Sequence, residues 1–164
     1  MNPSQGVRPG TGVVVAVLSG MGSWLLLQVL RSLGADYPVI SWLGLVPLVA
    51  VTLLVLVMSW QIRRYAQGRT KVRPSPQRGR GTVVGAQAAA LGGAALLGWY
   101  AANALVHLPN ADVPSVRVQL VWGIVHAVAA LALSVTGYVG QAWCRVPPDD
   151  DDDGEAVSDG LAYG

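Results

Sequence analysis

Four long stretches without a charged side chain constrain this sequence more than any other feature. They lie between these pairs of charged residues: Arg8 and Arg31, Asp36 and Arg63, Arg80 and Asp112, and Arg117 and Arg145. Each stretch is longer than the ~20 residues that an α-helix needs to cross the hydrocarbon core of a bilayer. Charged residues make up only 12% of the chain, whereas about 25% is usual in soluble proteins. The sequence therefore predicts an all-α integral membrane protein, with four transmembrane helices in an antiparallel bundle.

The predicted spans share a high apolar content and cover residues 11–30, 40–62, 82–105 and 118–143. With their connections they form one membrane domain, 11–145, between a short N-terminal segment (1–10) and a tail (146–164). A cleavable signal peptide is the alternative interpretation of the first span. Because this span is longer than the apolar part of a signal peptide, and because Leu33 and Ala35 make a poor cleavage site, we favour a retained helix.

The loop between the second and third spans, residues 63–81, sets the predicted orientation. It has no acidic residue and carries seven basic ones: Arg63, Arg64, Arg69, Lys71, Arg73, Arg78 and Arg80. The two other loops hold one arginine each, Arg31 and Arg117. Because short loops rich in Lys and Arg stay in the cytoplasm, this loop and both termini are predicted to be cytoplasmic. The use of Arg in place of Lys, with abundant Ala and Gly, indicates GC-rich codons and hence a bacterial cell membrane.

The segment WCRVPPDDDDDGE (143–155) marks the predicted end of the fourth span. Trp143 would lie at the membrane interface, and the double proline stops the helix before the aspartates begin. The tail that follows (146–164) is predicted to be disordered. Its acidic part, 149–159, carries seven negative charges that balance those of the loop 63–81. A salt-sensitive pairing of tail and loop, in competition with lipid, is one hypothesis.

Three features resemble a known family. They are CRVPP (144–148) followed by acidic residues, GWYAA (98–102) in an Ala/Gly-rich third span, and an Arg-rich loop after a very apolar second span. In these features the chain resembles a family of small four-span membrane proteins from actinobacteria, catalogued as a domain of unknown function. The likeness covers residues 10–148. It implies no catalytic residue, and it implies a genomic association with pterin and folate biosynthesis genes.

His126 is an ionisable side chain deep in a predicted span, and such a residue indicates a functional site by default. It would lie roughly 12 Å into the bilayer, at 1.5 Å per residue. Ser23, Pro47 and Gly98 occupy the same depth in the other spans, so the four form a predicted intramembrane polar layer. A neutral His126 bonded to Ser23 or to the carbonyl of Leu43 would be structural. A proton or substrate site would need a second titratable partner, and we favour the structural role.

Small residues recur at four-residue spacing in two spans: Gly12, Ala16 and Gly20 in the first, and Gly85, Ala89 and Gly93 in the third. Such ridges let helix backbones approach closely. Packing within one bundle is the favoured interpretation, and a homo-oligomer or partner face is the alternative.

The sequence offers little for catalysis. The single cysteine, Cys144, excludes an intrachain disulfide, and His107 with Asp112 gives too few ligands for a metal. Phosphate-binding glycine loops and nucleophile elbows are absent from the sequence. We therefore expect no enzyme activity, no cofactor and no metal. Nucleic-acid binding is not expected either, because the basic loop has no recognition fold around it.

These patterns favour a multi-pass, non-catalytic accessory or scaffold protein. It would engage anionic lipid headgroups, or a membrane or cytoplasmic protein, through the basic loop 63–81 and the acidic tail. The alternative is a small oligomeric transporter or channel with His126 near the path. The first function would require the loop arginines, and the second would require His126.

Overall fold

A computed structural model describes residues 7–34, 39–67 and 76–143. Within these residues the regular structure is helical, and four helices are long and apolar enough to cross a membrane. The predicted all-α fold with four spans is thereby confirmed. Several predicted features lie outside the described residues: the tail 146–164 and its pairing with the loop, Cys144, Arg69, Lys71 and Arg73.

The helical elements follow one another in this order: α1 (Pro9–Ser32), a 3-10 turn (Trp42–Gly44), α2 (Leu45–Ala66), α3 (Pro76–His107), a second 3-10 turn (Leu108–Asn110) and α4 (Pro114–Trp143). The first turn of 3-10 helix is capped by Ser41, whose Oγ accepts a hydrogen bond from the backbone N–H of Leu43 at 3.4 Å. Compared with the predicted spans, α1 and α3 extend further at both ends. α2 and α4 extend further at one end each.

A proline lies in the first turn of every long helix. Pro9, Pro76 and Pro114 are the first residues of α1, α3 and α4, and Pro47 is the third residue of α2. Proline suits this position because the first N–H groups of a helix have no partner within it. The sequence places Pro47 inside a span that starts at residue 40, but α2 starts at Leu45. Pro47 therefore does not interrupt the helix.

α3 and α4 form the antiparallel centre of the bundle, with α1 packed on α3 and α2 packed mainly on α4. Small residues allow the backbones of α3 and α4 to approach closely at this centre. A Cβ added at Gly93 would lie only 2.5 Å from the backbone nitrogen of Ser134, and Ala90 and Ala130 are fully buried. The hydroxyl of Ser134 also donates a hydrogen bond to the carbonyl oxygen of Ala90, at 2.9 Å. Close backbones joined by a polar bond are typical of membrane helix pairs.

The contact of α1 with α3 follows the same rule. A Cβ at Gly98 would overlap the carbonyl oxygen of Ala16 and lie 2.6 Å from the nitrogen of Gly20. The hydroxyl of Ser19 donates to the carbonyl oxygen of Ala95 at 2.7 Å. Much of the predicted small-residue pattern therefore serves packing inside the bundle.

The outward surfaces of the helices are apolar. Each long helix contains an apolar stretch of 18 residues. The buried share of this stretch is 39% in α3 but only 11% in α1 and 17% in α2. The remaining surface consists largely of exposed Val and Leu side chains. A soluble protein rarely exposes apolar patches of such extent. This exterior suits the lipid surroundings of a multi-pass membrane protein.

The bundle has two distinct ends. The start of α1 meets the end of α4, and the end of α2 lies beside it. We call this end, with Arg8, Arg63 and Arg64, the basic end. At the opposite end the backbone N–H of Ile40 donates to Oε1 of Gln119, at 3.1 Å.

Candidate functional site

His126 is fully buried among aromatic rings and backbone. The centroid of its ring is 4.9 Å from that of Tyr100 and 6.1 Å from that of Trp122. The turn before α2 covers it, because a Cβ at Gly44 would lie 3.2 Å from its Nε2 atom. The histidine is thus enclosed by α3, α4 and the start of α2.

Hydrogen bonding fixes the tautomer of His126. Its Nδ1 atom lies 2.8 Å from the carbonyl oxygen of Trp122, one turn earlier in α4. A carbonyl only accepts, so Nδ1 is the donor in this bond. Nε2 has no hydrogen-bond partner among the described residues. The predicted bond to Ser23 or to the carbonyl of Leu43 is therefore wrong, because the ring turns back to its own helix.

The other residues of the predicted layer point elsewhere. Gly98 faces α1, where its neighbours are Ala16 and Gly20. Ser23 is buried in α1, which packs on α3, and Pro47 is exposed at the start of α2. Equal depth fixes the position of a residue along the helix axis but not the direction in which it faces. The described contacts do not bring the layer residues together around His126.

Five buried polar atoms make no hydrogen bond within the described residues: Ser59 Oγ, Asn103 Oδ1, His126 Nε2, the Tyr138 hydroxyl and Gln141 Nε2. Leaving such a group unpartnered costs about 1–3 kcal/mol, so each one requires an explanation. Among these residues, the sequence predicts a functional role for His126. The other four are uncharged polar residues, and three of them lie within three residues of the end of a predicted span: Ser59, Asn103 and Gln141.

Two of these groups meet at the basic end, between α1 and α4. Oε1 of Gln141 accepts a hydrogen bond from the backbone N–H of Val7, at 2.8 Å. Tyr138, one turn earlier in α4, places its hydroxyl against Gly12 in the first turn of α1. Two polar side chains from α4 therefore lie beside the start of α1.

Asn103 and His107 form a second polar group, at the opposite end. Nδ2 of Asn103 donates to the carbonyl oxygen of Trp99 at 2.9 Å. Nδ1 of His107 lies 2.7 Å from the carbonyl oxygen of Asn103. Both side chains are buried on α3 and use backbone groups of their own helix as partners. These bonds hold each side chain against the preceding turn of α3.

The predicted lipid- or partner-contact residues lie at the basic end where they are described. The guanidinium of Arg63 lies 4.7 Å from the ring centroid of Trp143, and Trp60 packs edge-on against the same ring at 5.9 Å. Arg64 is exposed. Stacked Trp and Arg side chains at helix ends are typical of a membrane interface. Arg78 and Arg80 belong to the helical backbone of α3, and their side chains are outside the described part.

Two apolar grooves cross the bundle surface beside α3, in addition to a smaller one between α2 and α3. One has a volume of about 410 Å³ and lies between α3 and α4, and the other, of about 520 Å³, lies between α1 and α3. Leu97, Ala101 and Leu105 line both. Their linings are almost wholly apolar, so they suit hydrocarbon rather than a polar substrate. In residues 7–34, 39–67 and 76–143, no three His, Cys, Asp or Glu side chains are grouped as a metal would need.

Residues 13–148 match the model of a protein family described as "Protein of unknown function (DUF3180)". The match covers most of the chain and includes nearly all of the four spans. The resemblance to a domain of unknown function is thereby confirmed. No curated protein and no solved structure matches the chain.

Proposed function

The chain belongs to the DUF3180 family of proteins of unknown function, and because that description assigns no activity, we propose a function from its fold and charge distribution. It is a non-catalytic accessory or scaffold protein of the cell membrane. It engages anionic lipid, or a membrane or cytoplasmic protein, through its basic loop and acidic tail.

The proposal is supported most by the two helices that extend into the basic loop from either side. α2 continues to Ala66, past the end of its apolar span at Arg64. α3 begins at Pro76, before the start of its apolar span at Gly81. Both helices thus continue beyond their apolar stretches on the side of the basic loop, which supports a position of its basic residues close to the membrane surface. Each cation near an anionic membrane contributes about 1 kcal/mol.

The centre of the bundle supports a non-catalytic function. Ala86, Ala90 and Ala130 are all 0% exposed, and the backbones of α3 and α4 touch at Gly93 and Gly137. At these contacts the packing leaves no room for a substrate, and the groove between the same two helices elsewhere is almost wholly apolar.

The proposal is tested by neutralising the loop and recording what the protein binds. In cells, crosslinking followed by purification in mild detergent identifies proteins held by the chain. With purified full chain in mixed vesicles, the preference for phosphatidylglycerol over phosphatidylcholine is measured by energy transfer to labelled lipids. For the double variant Arg69→Gln/Arg73→Gln we expect this preference to fall, by up to about 30-fold for a loss of about 2 kcal/mol.

The matched control is Arg31→Gln/Arg117→Gln, which removes the same charge at the other end of the bundle. This variant should keep the lipid preference and any crosslinked partner. If both double variants behave like the unmodified chain, the loop does not engage lipid or partner and the proposal fails.

The second candidate is a small oligomeric transporter or channel. A specific observation favours it: Nε2 of His126 is buried without a hydrogen-bond partner among the described residues. Under this alternative His126→Ala abolishes function while the loop variant is tolerated. The accessory function predicts the reverse.

A further inference from the structure

The start of α1 has the character of an anion-binding helix terminus. Arg8 is the N-cap residue, its side chain makes no capping hydrogen bond, and the first turn contains no acidic residue. Helix N-termini carry a partial positive charge that favours anions. In this first turn Pro9 has no N–H, and the N–H of Thr11 donates to the carbonyl oxygen of Arg8 at 2.9 Å, so the terminus attracts an anion mainly by its dipole. These features alone do not define a site, but side chains of α4 add donors at the same place.

Gln141 supplies the first of these donors. It is only 6% exposed, and its Oε1 accepts from the Val7 N–H at 2.8 Å. A backbone N–H only donates, so the amide oxygen must face Val7 and the NH₂ group must point away from it. That NH₂ group is buried and makes no hydrogen bond within the described residues. Gln141 therefore holds unpartnered donors within a few ångströms of the start of α1.

Tyr138 supplies the second donor. It lies three residues before Gln141 in α4, on the same face of that helix. Its hydroxyl is enclosed against Gly12, in the first turn of α1, and has no hydrogen-bond partner in the described part of the chain. One unpartnered hydroxyl and one unpartnered amide NH₂ thus flank the same helix N-terminus.

The donors select the chemistry of a ligand. A hydroxyl, an amide NH₂ and a helix N-terminus together suit an anion with several acceptor oxygens, as a phosphate group has. The position agrees, because Trp143 follows Gln141 by two residues and packs with Trp60 and Arg63. Tryptophans grouped with an arginine at a helix end are typical of the level of lipid headgroups.

We propose that the first turn of α1 and the Tyr138–Gln141 edge of α4 form a binding site for a phosphate group. The phosphate comes either from a lipid headgroup or from free phosphate in solution. Both donor groups are enclosed, so binding requires the first turn of α1 to move away from α4.

This inference extends the proposed function but is separable from it. The basic loop attracts anionic lipid by charge alone, without geometric selection, whereas this site would hold one phosphate through defined hydrogen bonds. The site includes none of the predicted loop residues.

The test uses the purified full chain in a maltoside detergent, which contains no phosphate. Thermal unfolding is measured with added phosphatidylglycerol, with diacylglycerol and with inorganic phosphate. We expect phosphatidylglycerol or inorganic phosphate to raise the unfolding temperature in a saturable manner, because a ligand of the native state stabilises it. Diacylglycerol has similar chains and no phosphate, so it should have no such effect.

Three variants locate the effect. Gln141→Glu keeps an acceptor for the Val7 N–H but replaces the NH₂ group with an acceptor oxygen, and Tyr138→Phe removes only a hydroxyl. Each should weaken the apparent affinity by about tenfold, the effect of one hydrogen bond to a charged group. Gln119→Glu is the matched control, because Gln119 also accepts from a backbone N–H, at the opposite end. It should leave the affinity unchanged.

The outcomes identify the source of the phosphate and separate the two proposals. Stabilisation by phosphatidylglycerol alone assigns the site to a headgroup, and stabilisation by inorganic phosphate as well assigns it to free phosphate. Equal stabilisation by diacylglycerol, no stabilisation by any phosphate, or equal affinities of Gln141→Glu and Gln119→Glu would overturn the site. The variant Arg69→Gln/Arg73→Gln should keep the Gln141-dependent stabilisation, so a failure of the loop proposal is recognised independently.

Discussion

The close contact between α3 and α4 makes a quantitative prediction. Gly93→Ala adds a Cβ that would lie 2.5 Å from the nitrogen and 2.8 Å from the Cα of Ser134, and 2.9 Å from the carbonyl oxygen of Ala130. All three are backbone atoms, which cannot rotate away. The helices must therefore separate by about 1 Å to reach ordinary contact distances. Such overpacking costs about 1–3 kcal/mol.

A neighbouring glycine provides the matched control. Alanine favours a helix over glycine by up to about 1 kcal/mol, and this gain applies to any glycine inside α3. Gly92 is adjacent in sequence, and a Cβ there would meet nothing within 4 Å. Gly92→Ala should therefore be as stable as the unmodified chain or slightly more so. The difference between the two variants isolates the cost of overpacking.

The free energy of unfolding is measured by titrating the full chain in mixed micelles with sodium dodecyl sulfate and following helix content. Gly93→Ala should unfold with a free energy about 1–3 kcal/mol below that of Gly92→Ala. Separation of the helices would also lengthen the bond from Ser134 to Ala90, worth ~0.6 kcal/mol. Identical unfolding of the two variants would refute the described approach of α3 to α4.

Three further predictions use the same unfolding measurement. His126→Phe should not lower stability, because it removes an unpartnered buried acceptor that costs about 1–3 kcal/mol; a large loss would mean that Nε2 has a partner. Pro47→Ala should change the free energy by less than about 1 kcal/mol, since the first turn of a helix needs no N–H donor; a larger change would place Pro47 deeper in the helix. Arg63→Gln should cost about 0.5–1 kcal/mol through lost stacking on Trp143, and it should cost nothing in a chain that already carries Trp143→Leu.

The sequence was sufficient for the number and composition of the spans. Their apolar content and the position of the basic loop depend on properties that are summed residue by residue along the chain. The predicted starts of the helices were less accurate. Three helices begin at a proline, and a proline can begin a helix as readily as it can end one. Pro114 is an example: the prediction starts the fourth span at 118, whereas α4 begins at the proline itself.

The sequence was a poorer guide to the candidate sites. The sequence correctly indicated that His126 is buried. It did not predict the hydrogen-bond partner of the ring, because a ring nitrogen can bond to the preceding turn of its own helix. Gln141 and Tyr138 carry no charge and no motif, and their importance depends on a helix more than 100 residues earlier in the chain.

The sequence by itself determined that this is a four-span membrane protein with its positive charge gathered in one loop. Only the tertiary structure decided which helices touch, how each is rotated, and that Gln141 and Tyr138 meet the start of α1. The physical reason is the solvent. Lipid is as apolar as leucine, so the apolar pattern of a span does not mark the face that packs inward. That face is set by how closely small residues let neighbouring backbones approach, which depends on all four helices at once.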